Sequence, residues 1–157
     1  MLSQSKIGTQ RSQSNIMNWS VVHIETLAKT VIGCAIDIHR ALGPGLLESS
    51  YKECMKYELT QMGLLVETEK PMPLFYKEVK MNVAYRLDML VENKLVIEVK
   101  AKEGLTDVDL AQTLTYMKLG SHQLGLLINF NVALLKQGIR RVVYKLDETE
   151  RDNLLRT

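Results

Sequence analysis

The chain has 157 residues, 46% of them hydrophobic and 24% charged, with a net charge of +2. That length suits one domain with a proper core and argues against two, and the small charge excess excludes a chain that binds nucleic acid through overall basicity. No apolar run approaches the roughly 18 to 20 residues that cross a bilayer and the N-terminus lacks an apolar secretory core, so the sequence predicts a cytoplasmic protein with no membrane partner.

Residues 1–20 are rich in Ser, Gln and Asn and show no apolar period, which predicts a flexible N-terminal arm, with Trp19 docking its end. A single domain is expected over 21–146, followed by a charged tail over 147–157 that forms a frayed final helix. From His23 to Leu42, the residues Leu27, Val31, Ala35, Ile38 and Leu42 recur at steps of three or four, which predicts a helix with one buried face. Gly43-Pro44-Gly45 ends it: Gly43 suits a left-handed cap, and Pro44 can begin the next helix. This pair of glycines lacks the third glycine and the Lys-Ser/Thr of a phosphate-cradling loop. A second helix is expected from Leu46 to Met62, lined by Leu47, Tyr51, Met55, Leu59 and Met62 and capped by Gly63. By spacing alone, Glu48 reads as a helix-start glutamate that interacts with the dipole or pairs with Lys52.

Leu64 to Glu69, Leu74 to Tyr76 and Val79 to Met81 read as short strands, with Pro71 and Pro73 restricting pairing to an edge and Lys77-Glu78 as a turn. Val83 to Val91 and Leu95 to Ala101 are the best strands, joined by Glu92-Asn93-Lys94. Thr106, with Asp109 three residues on, opens a helix that runs to Leu119 and ends at Gly120. Leu124 to Phe130 (LGLLINF) is the nearly continuous apolar run of a strand covered on both faces, and Ile139 to Leu146 reads as its neighbour. The order predicts an α/β domain with a mixed sheet between helices.

Charge inside an apolar strand is costly. Of three ExK triplets, Glu78 to Lys80 and Glu92 to Lys94 sit at polar turns or strand ends, where they are merely soluble. Glu98 to Lys100 interrupts a buried-type strand, and residues two apart project from one face about 6.6 Å apart. Asp88 interrupts the preceding strand. A two-residue turn at Glu92-Asn93 would send Glu98 to the face opposite Asp88, whereas a three-residue turn, Glu92 to Lys94, sets Asp88 opposite Glu98; that register, or a bulge with the same effect, is the expected one. The two Cβ atoms then lie within about 5 Å. Such a pair of hard oxygen donors favours Mg²⁺ or Mn²⁺ over zinc, and Lys100 can orient a bound water or stabilise developing negative charge. The competing reading is an ionic cluster of Asp88, Arg86 and Lys100 that only sets register.

Other chemistry finds little support. Cys34 and Cys54 lie 20 residues apart without a CxxC and read as buried thiols. GxSxG and HExxH are absent, and His23, His39 and His122 lack metal-ligand spacing. His39 reads as a helix-end histidine interacting with the dipole. Lys136, Arg140, Arg141 and Lys145 supply local positive charge that an ordinary solvated strand edge would equally carry.

GLLESSY (Gly45 to Tyr51), YRLD, IEVKA, the Gln112 and Tyr116 pair and LGLLINF occur in the order seen in the GxxExxY family of the PD-(D/E)XK nuclease superfamily, which the chain resembles over about Ile24 to Val143. The resemblance implies a restriction-endonuclease-like core with two N-terminal helices, in which Asp88 and Glu98 are metal ligands and Lys100 the catalytic lysine. Glu48 then corresponds to an additional acid and third ligand, which replaces its local reading, and Gln112 to the glutamine that supports water or substrate. Tyr51, Arg86, Lys102 and Tyr116 are the expected substrate contacts. Leu87 stands where the superfamily's name has proline, and the cysteines of its iron-sulfur members are absent, so no cluster is expected.

The function expected is a metal-dependent nuclease, an endonuclease acting on nucleic acid with DNA preferred over RNA, working as a homodimer or within a larger assembly. The alternative is a non-catalytic nucleic-acid-binding or protein-interaction module on the same fold.

Overall fold

The computed structural model describes residues 23–83 and 85–145, so the expectations for the arm, Trp19 and the tail lie outside the described residues. Helix α1 (Ile24–Leu42) starts where His23 Nδ1 accepts the Glu25 N–H at 3.1 Å. Leu27, Val31, Ala35 and Ile38 are buried as their period predicts, while Leu42, at the last turn, is largely exposed. Helix α2 (Glu48–Gln61) begins later than predicted. Leu47 is its N-cap and 75% exposed, not a lining residue, and Pro44 stays in the connecting loop. Gly43 and Gly45 have φ of 69° and 99°, so the loop uses backbone that other residues rarely adopt. Gly43 has ψ of −177°, which is not the left-handed cap expected of it.

The strands are β1 (Val66–Met72), β2 (Phe75–Tyr76), β3 (Val79–Lys80), β4 (Tyr85–Val91), β5 (Leu95–Lys100), β6 (Leu124–Asn129) and β7 (Ile139–Val143). Strand β1 runs through Pro71 instead of stopping at Glu69, which an outermost strand tolerates because no neighbour needs the missing N–H. A five-stranded sheet has the order β1-β4-β5-β6-β7, with β5 and β6 parallel and the other neighbours antiparallel. Strands β2 and β3 form a separate hairpin between β1 and β4.

Helix α3 (Asp107–Gly120) connects β5 to β6 and opens with the predicted capping box, Thr106 and Asp109 each bonding the other's backbone N–H. Gly120 is its last residue and Ser121 the left-handed cap. An added Cβ at 120 would stand 2.5 Å from the His122 ring, which would have to turn aside.

Helices α1 and α2 cover one face of the sheet, packing Leu27, Val31, Tyr51, Met55 and Leu59 over Met89, Val91, Ile97, Val99 and Leu126. Helix α3 covers the other with Tyr116 and Met117 over Leu87, Leu90 and Val96. Every residue of β6 is buried, as its unbroken apolar run predicts. The result is the expected α/β arrangement, a mixed sheet between helices.

Candidate active site

The β4–β5 turn contains three residues, with Val91 opposite Leu95, Leu90 opposite Val96 and Met89 opposite Ile97. Glu92 and Asn93 at φ of 52° and 54° make it. The next pair in that register is Asp88 with Glu98, and there the backbone ladder gives way to side chains. The Asp88 N–H donates to Glu98 Oε1 at 3.1 Å, and the Val99 N–H donates to Asp88 Oδ2 at 2.9 Å. Each carboxylate thus takes a backbone donor from the opposite strand, which brings the two acids together as the odd register requires.

On its other side Asp88 faces a second interruption. Strand β1 pairs Thr68 with Met89 and Lys70 with Leu87, skipping Glu69, whose φ is 50°. No residue is inserted, so this is a local twist in place of a bulge. Leu87 and Leu90, three apart, both enter the core under α3, so strict alternation fails once around Asp88.

Asp88 and Glu98 are 9% and 3% exposed. Burial, and then the charge of Asp88, push the Glu98 carboxyl up to about 9. Glu48, the first residue of α2, is raised by its burial and next by Asp88, while Lys100 and Lys52 act to lower it, so it lies within electrostatic reach of Asp88 and Lys100. Lys52 does not take Glu48 as a partner. Its Nζ lies 2.9 Å from Glu69 Oε1 and 3.4 Å from Asp88 Oδ1, and these bonds outweigh burial and raise its pKa. Lys52 and Glu69 escape sequence reasoning because their partners lie on another element.

Lys100 projects at the end of β5 and donates to Gln112 Oε1 at 3.0 Å, and Gln112 Nε2 donates to the Tyr116 hydroxyl at 3.2 Å. Burial, and then Glu98, raise the Tyr116 hydroxyl. The competing cluster of Asp88, Arg86 and Lys100 is not formed: Asp88 pairs with Lys52, Lys100 with Gln112, and Arg86 is exposed.

Two of the expected substrate contacts are engaged elsewhere. Tyr51 is fully buried, with its ring stacked on Phe130 at 4.3 Å. Its hydroxyl donates to Gly43 O at 2.6 Å and accepts from the Leu46 N–H at 3.2 Å, so it holds the turn that starts α2 and has no surface to offer substrate. Lys102 pairs with Asp109 at 3.0 Å. Its loop is clamped by buried Asn129, which accepts the Lys102 N–H at 3.1 Å and donates to Lys102 O at 2.9 Å, a role that the apolar run around Asn129 conceals. Arg141, of the basic C-terminal group, forms a two-bond pair with Glu25 at 3.0 and 3.2 Å, its side chain only 5% exposed. His39 is buried and bonds Val132 O at 2.8 Å, a tertiary contact in place of the expected dipole interaction. Cys34 is buried, its thiol pushed up to about 11 chiefly by burial, whereas Cys54 is only partly buried.

Two buried carboxylates in contact suit a divalent cation, because opposite charge relieves both their desolvation and their repulsion. Among the described residues no group of three His, Cys, Asp or Glu side chains stands ready to hold a metal ion. Protein donors on hand are therefore Asp88 and Glu98, with Glu48 nearby.

A five-stranded mixed sheet flanked by helices is the framework of the restriction-endonuclease-like α/β fold. The PD-(D/E)XK nuclease superfamily profile matches residues 25–142, and the chain belongs to that superfamily. Comparisons with curated proteins and with solved structures give no match. No helix among the described residues is long and apolar enough to cross a membrane.

Proposed function

We propose that the chain is a metal-dependent nuclease of the GxxExxY group, hydrolysing phosphodiester bonds with DNA preferred over RNA. The observation that carries this reading is the Asp88–Glu98 contact, two acidic groups buried side by side in place of a backbone ladder rung, an arrangement that raises the Glu98 carboxyl. Asp88 and Glu98 would hold Mg²⁺ or Mn²⁺, with Glu48 as a third donor. The bound ion supplies charge to polarise phosphate and to acidify water.

The chain's own groups do the rest. Lys100 has a neutral partner, Gln112, so no carboxylate occupies its ammonium, which remains a donor for a phosphate oxygen or for a nucleophilic water. Gln112 fixes that ammonium and is fixed in turn by Tyr116. Tyr51 acts through Glu48, by holding the loop that sets the first turn of α2. The spacing Gly45, Glu48, Tyr51 thus has a physical sense: a permissive turn residue, the acid it presents, and the anchor one helical turn later.

A second reading, a binding module without catalysis, draws on the lack of three preassembled donors among the described residues and on Lys52 beside Asp88. Labelled single- and double-stranded DNA and RNA, incubated with Mg²⁺, Mn²⁺ or chelator, separate the two. Nuclease action requires cleavage that chelator abolishes and Glu98→Ala loses, whereas retained binding without cleavage selects the module.

A further inference from the structure

The β2–β3 hairpin has no part in the core. Phe75 and Tyr76 are 59% and 62% exposed, and Val79, Val83 and Tyr85 are exposed beside them. It is nevertheless ordered by pairing: Phe75 stands opposite Lys80, Tyr76 opposite Val79, and the Met81 N–H donates to Leu74 O at 2.8 Å. Lys77 and Glu78, at φ of 48° and 64°, make the two-residue turn that suits the twist of paired strands. Cross-strand neighbours share a face, so Phe75 lies on one side of the ribbon and Tyr76 on the other.

Its position follows from topology. The hairpin links the end of β1 at Met72 to the start of β4 at Tyr85, and these two residues are paired. Strand β4 runs antiparallel to β5, so this is the end of the sheet at which β5 presents Lys100. Tyr85 is three residues before Asp88, about 10 Å along the strand. Its ring meets Tyr116 edge-on at 6.4 Å, and Tyr116 is the residue bonded to Gln112. Tyr116 and Tyr85 therefore lead from beside Gln112 toward the base of the hairpin, whose two sides carry Phe75 and Tyr76.

Charge on this segment is one-sided. Residues 74–86 contain Lys77, Lys80 and Arg86 against the single acid Glu78. The Lys77 ammonium sits 5.6 Å from the centre of the Tyr76 ring, beside an aromatic face. Exposed aromatic faces interleaved with cations suit unpaired bases and their phosphates, since any base can stack on a ring and each phosphate can meet a lysine. Duplex bases have their faces already stacked and offer the rings nothing comparable.

We infer that the β2–β3 hairpin is a docking element for single-stranded nucleic acid, which stacks bases on Phe75 and Tyr76 and carries the strand past Tyr85 toward Asp88 and Glu98. This rests on the nuclease reading for its direction along the molecule, and the binding itself is measurable without cleavage. In chelator, the full chain is titrated into labelled oligothymidine, oligouridine and a blunt DNA duplex, each of about 20 nucleotides, longer than a typical single-strand footprint. Single strands are expected to bind more tightly than duplex. The double variant Phe75→Ala/Tyr76→Ala is expected to weaken single-strand binding about tenfold or more, and Phe75→Trp to retain it. Lys77→Gln/Lys80→Gln is expected to reduce the salt dependence by roughly 0.7 in logarithmic slope per lysine.

Leu65→Ala, which removes an exposed apolar side chain elsewhere, is the control and is expected to bind as the parent does. Unchanged single-strand binding in the aromatic variant overturns the inference. So does failure of the parent chain to bind any probe. An aromatic variant that loses self-association while binding as before overturns it too, and assigns the hairpin to contacts between copies. The two DNA and RNA strands distinguish the source of the bases. Cleavage by the parent in Mg²⁺ together with unaltered binding in the variants leaves the nuclease reading standing and removes only the hairpin. Hairpin-dependent binding without cleavage does the reverse.

Discussion

The two ends of the β4–β5 pair are built from the same strands and obey opposite rules. At the closed end, Val91 with Leu95 and Leu90 with Val96 form a regular apolar ladder with every side chain fully buried. At the open end, Asp88 and Glu98 keep the register but trade the ladder for bonds between carboxylates and backbone N–H groups. The first end suits rigidity and the second is where the proposed chemistry falls, and the distance between them is one residue pair, Met89 with Ile97. The odd turn at Glu92 to Lys94 fixes both at once, because one residue fewer would place Glu98 away from Asp88.

Substitutions at the two ends are expected to separate activity from stability. Glu98→Ala is expected to remove metal-dependent cleavage by about a thousandfold or more, with a smaller loss of thermal midpoint in chelator than a core truncation gives, since loss of a buried acid beside another acid offsets part of the cost of the Asp88 N–H left unpaired. Leu90→Ala is expected to do the opposite, costing about 2–5 kcal/mol in urea unfolding while the folded fraction cleaves normally. Loss of activity per folded molecule in Leu90→Ala would merge the two ends.

Lys100 and Lys102 offer the same contrast over a shorter span. Lys100 is held by a neutral amide and Lys102 by the Asp109 carboxylate. Lys100→Met is expected to lower the cleavage rate roughly a hundredfold, and Gln112→Ala roughly tenfold, whereas Lys102→Met leaves the rate near the parent value. Equal losses at 100 and 102 would show that ion pairing does not sort the two lysines.

The acid pair also gives the open end a pH signature. Burial, and then Asp88, push the Glu98 carboxyl up to about 9 in the folded chain, above the ordinary glutamate value of an unfolded one. Between those values the folded chain keeps a proton that the unfolded chain has released. Without divalent ions, stability is therefore expected to fall as pH rises through that window, and Glu98→Gln to flatten the slope. Mg²⁺ competes with that proton, so its affinity is expected to rise with pH. Urea midpoints between about pH 5.5 and 8.5, with and without Mg²⁺, test both signs. The smallest effect is expected for Tyr51→Phe, which keeps the stacked ring and loses the hydroxyl's two bonds, at about 1 kcal/mol.

Local rules make much of this architecture legible in the sequence itself. Periodicity locates α1, start and stop residues locate α3, the capping box at Thr106 and Asp109 has both its bonds, and the length of one turn predicts which face Glu98 takes. What escapes is whatever depends on elements distant in the chain. Lys52 is four residues from Glu48, a spacing at which helix geometry pairs the two, yet β1 and β4 bring Glu69 and Asp88 closer. Tyr51 looks available because its helix position is beside Glu48, but packing on Phe130 encloses it. Arg141 and Glu25 show the same limit: neither strand pattern nor helix pattern carries information about a partner 116 residues away.

The twist at Glu69 has one more consequence, for solubility. Strand β1 is one of the two outermost strands of the sheet, and an exposed strand edge is a template on which another chain can add. A left-handed residue in mid-strand, followed two positions later by Pro71, interrupts the straight row of donors and acceptors that such addition needs. The irregularity that lets Glu69 reach Lys52 thus also keeps this edge from nucleating intermolecular sheet.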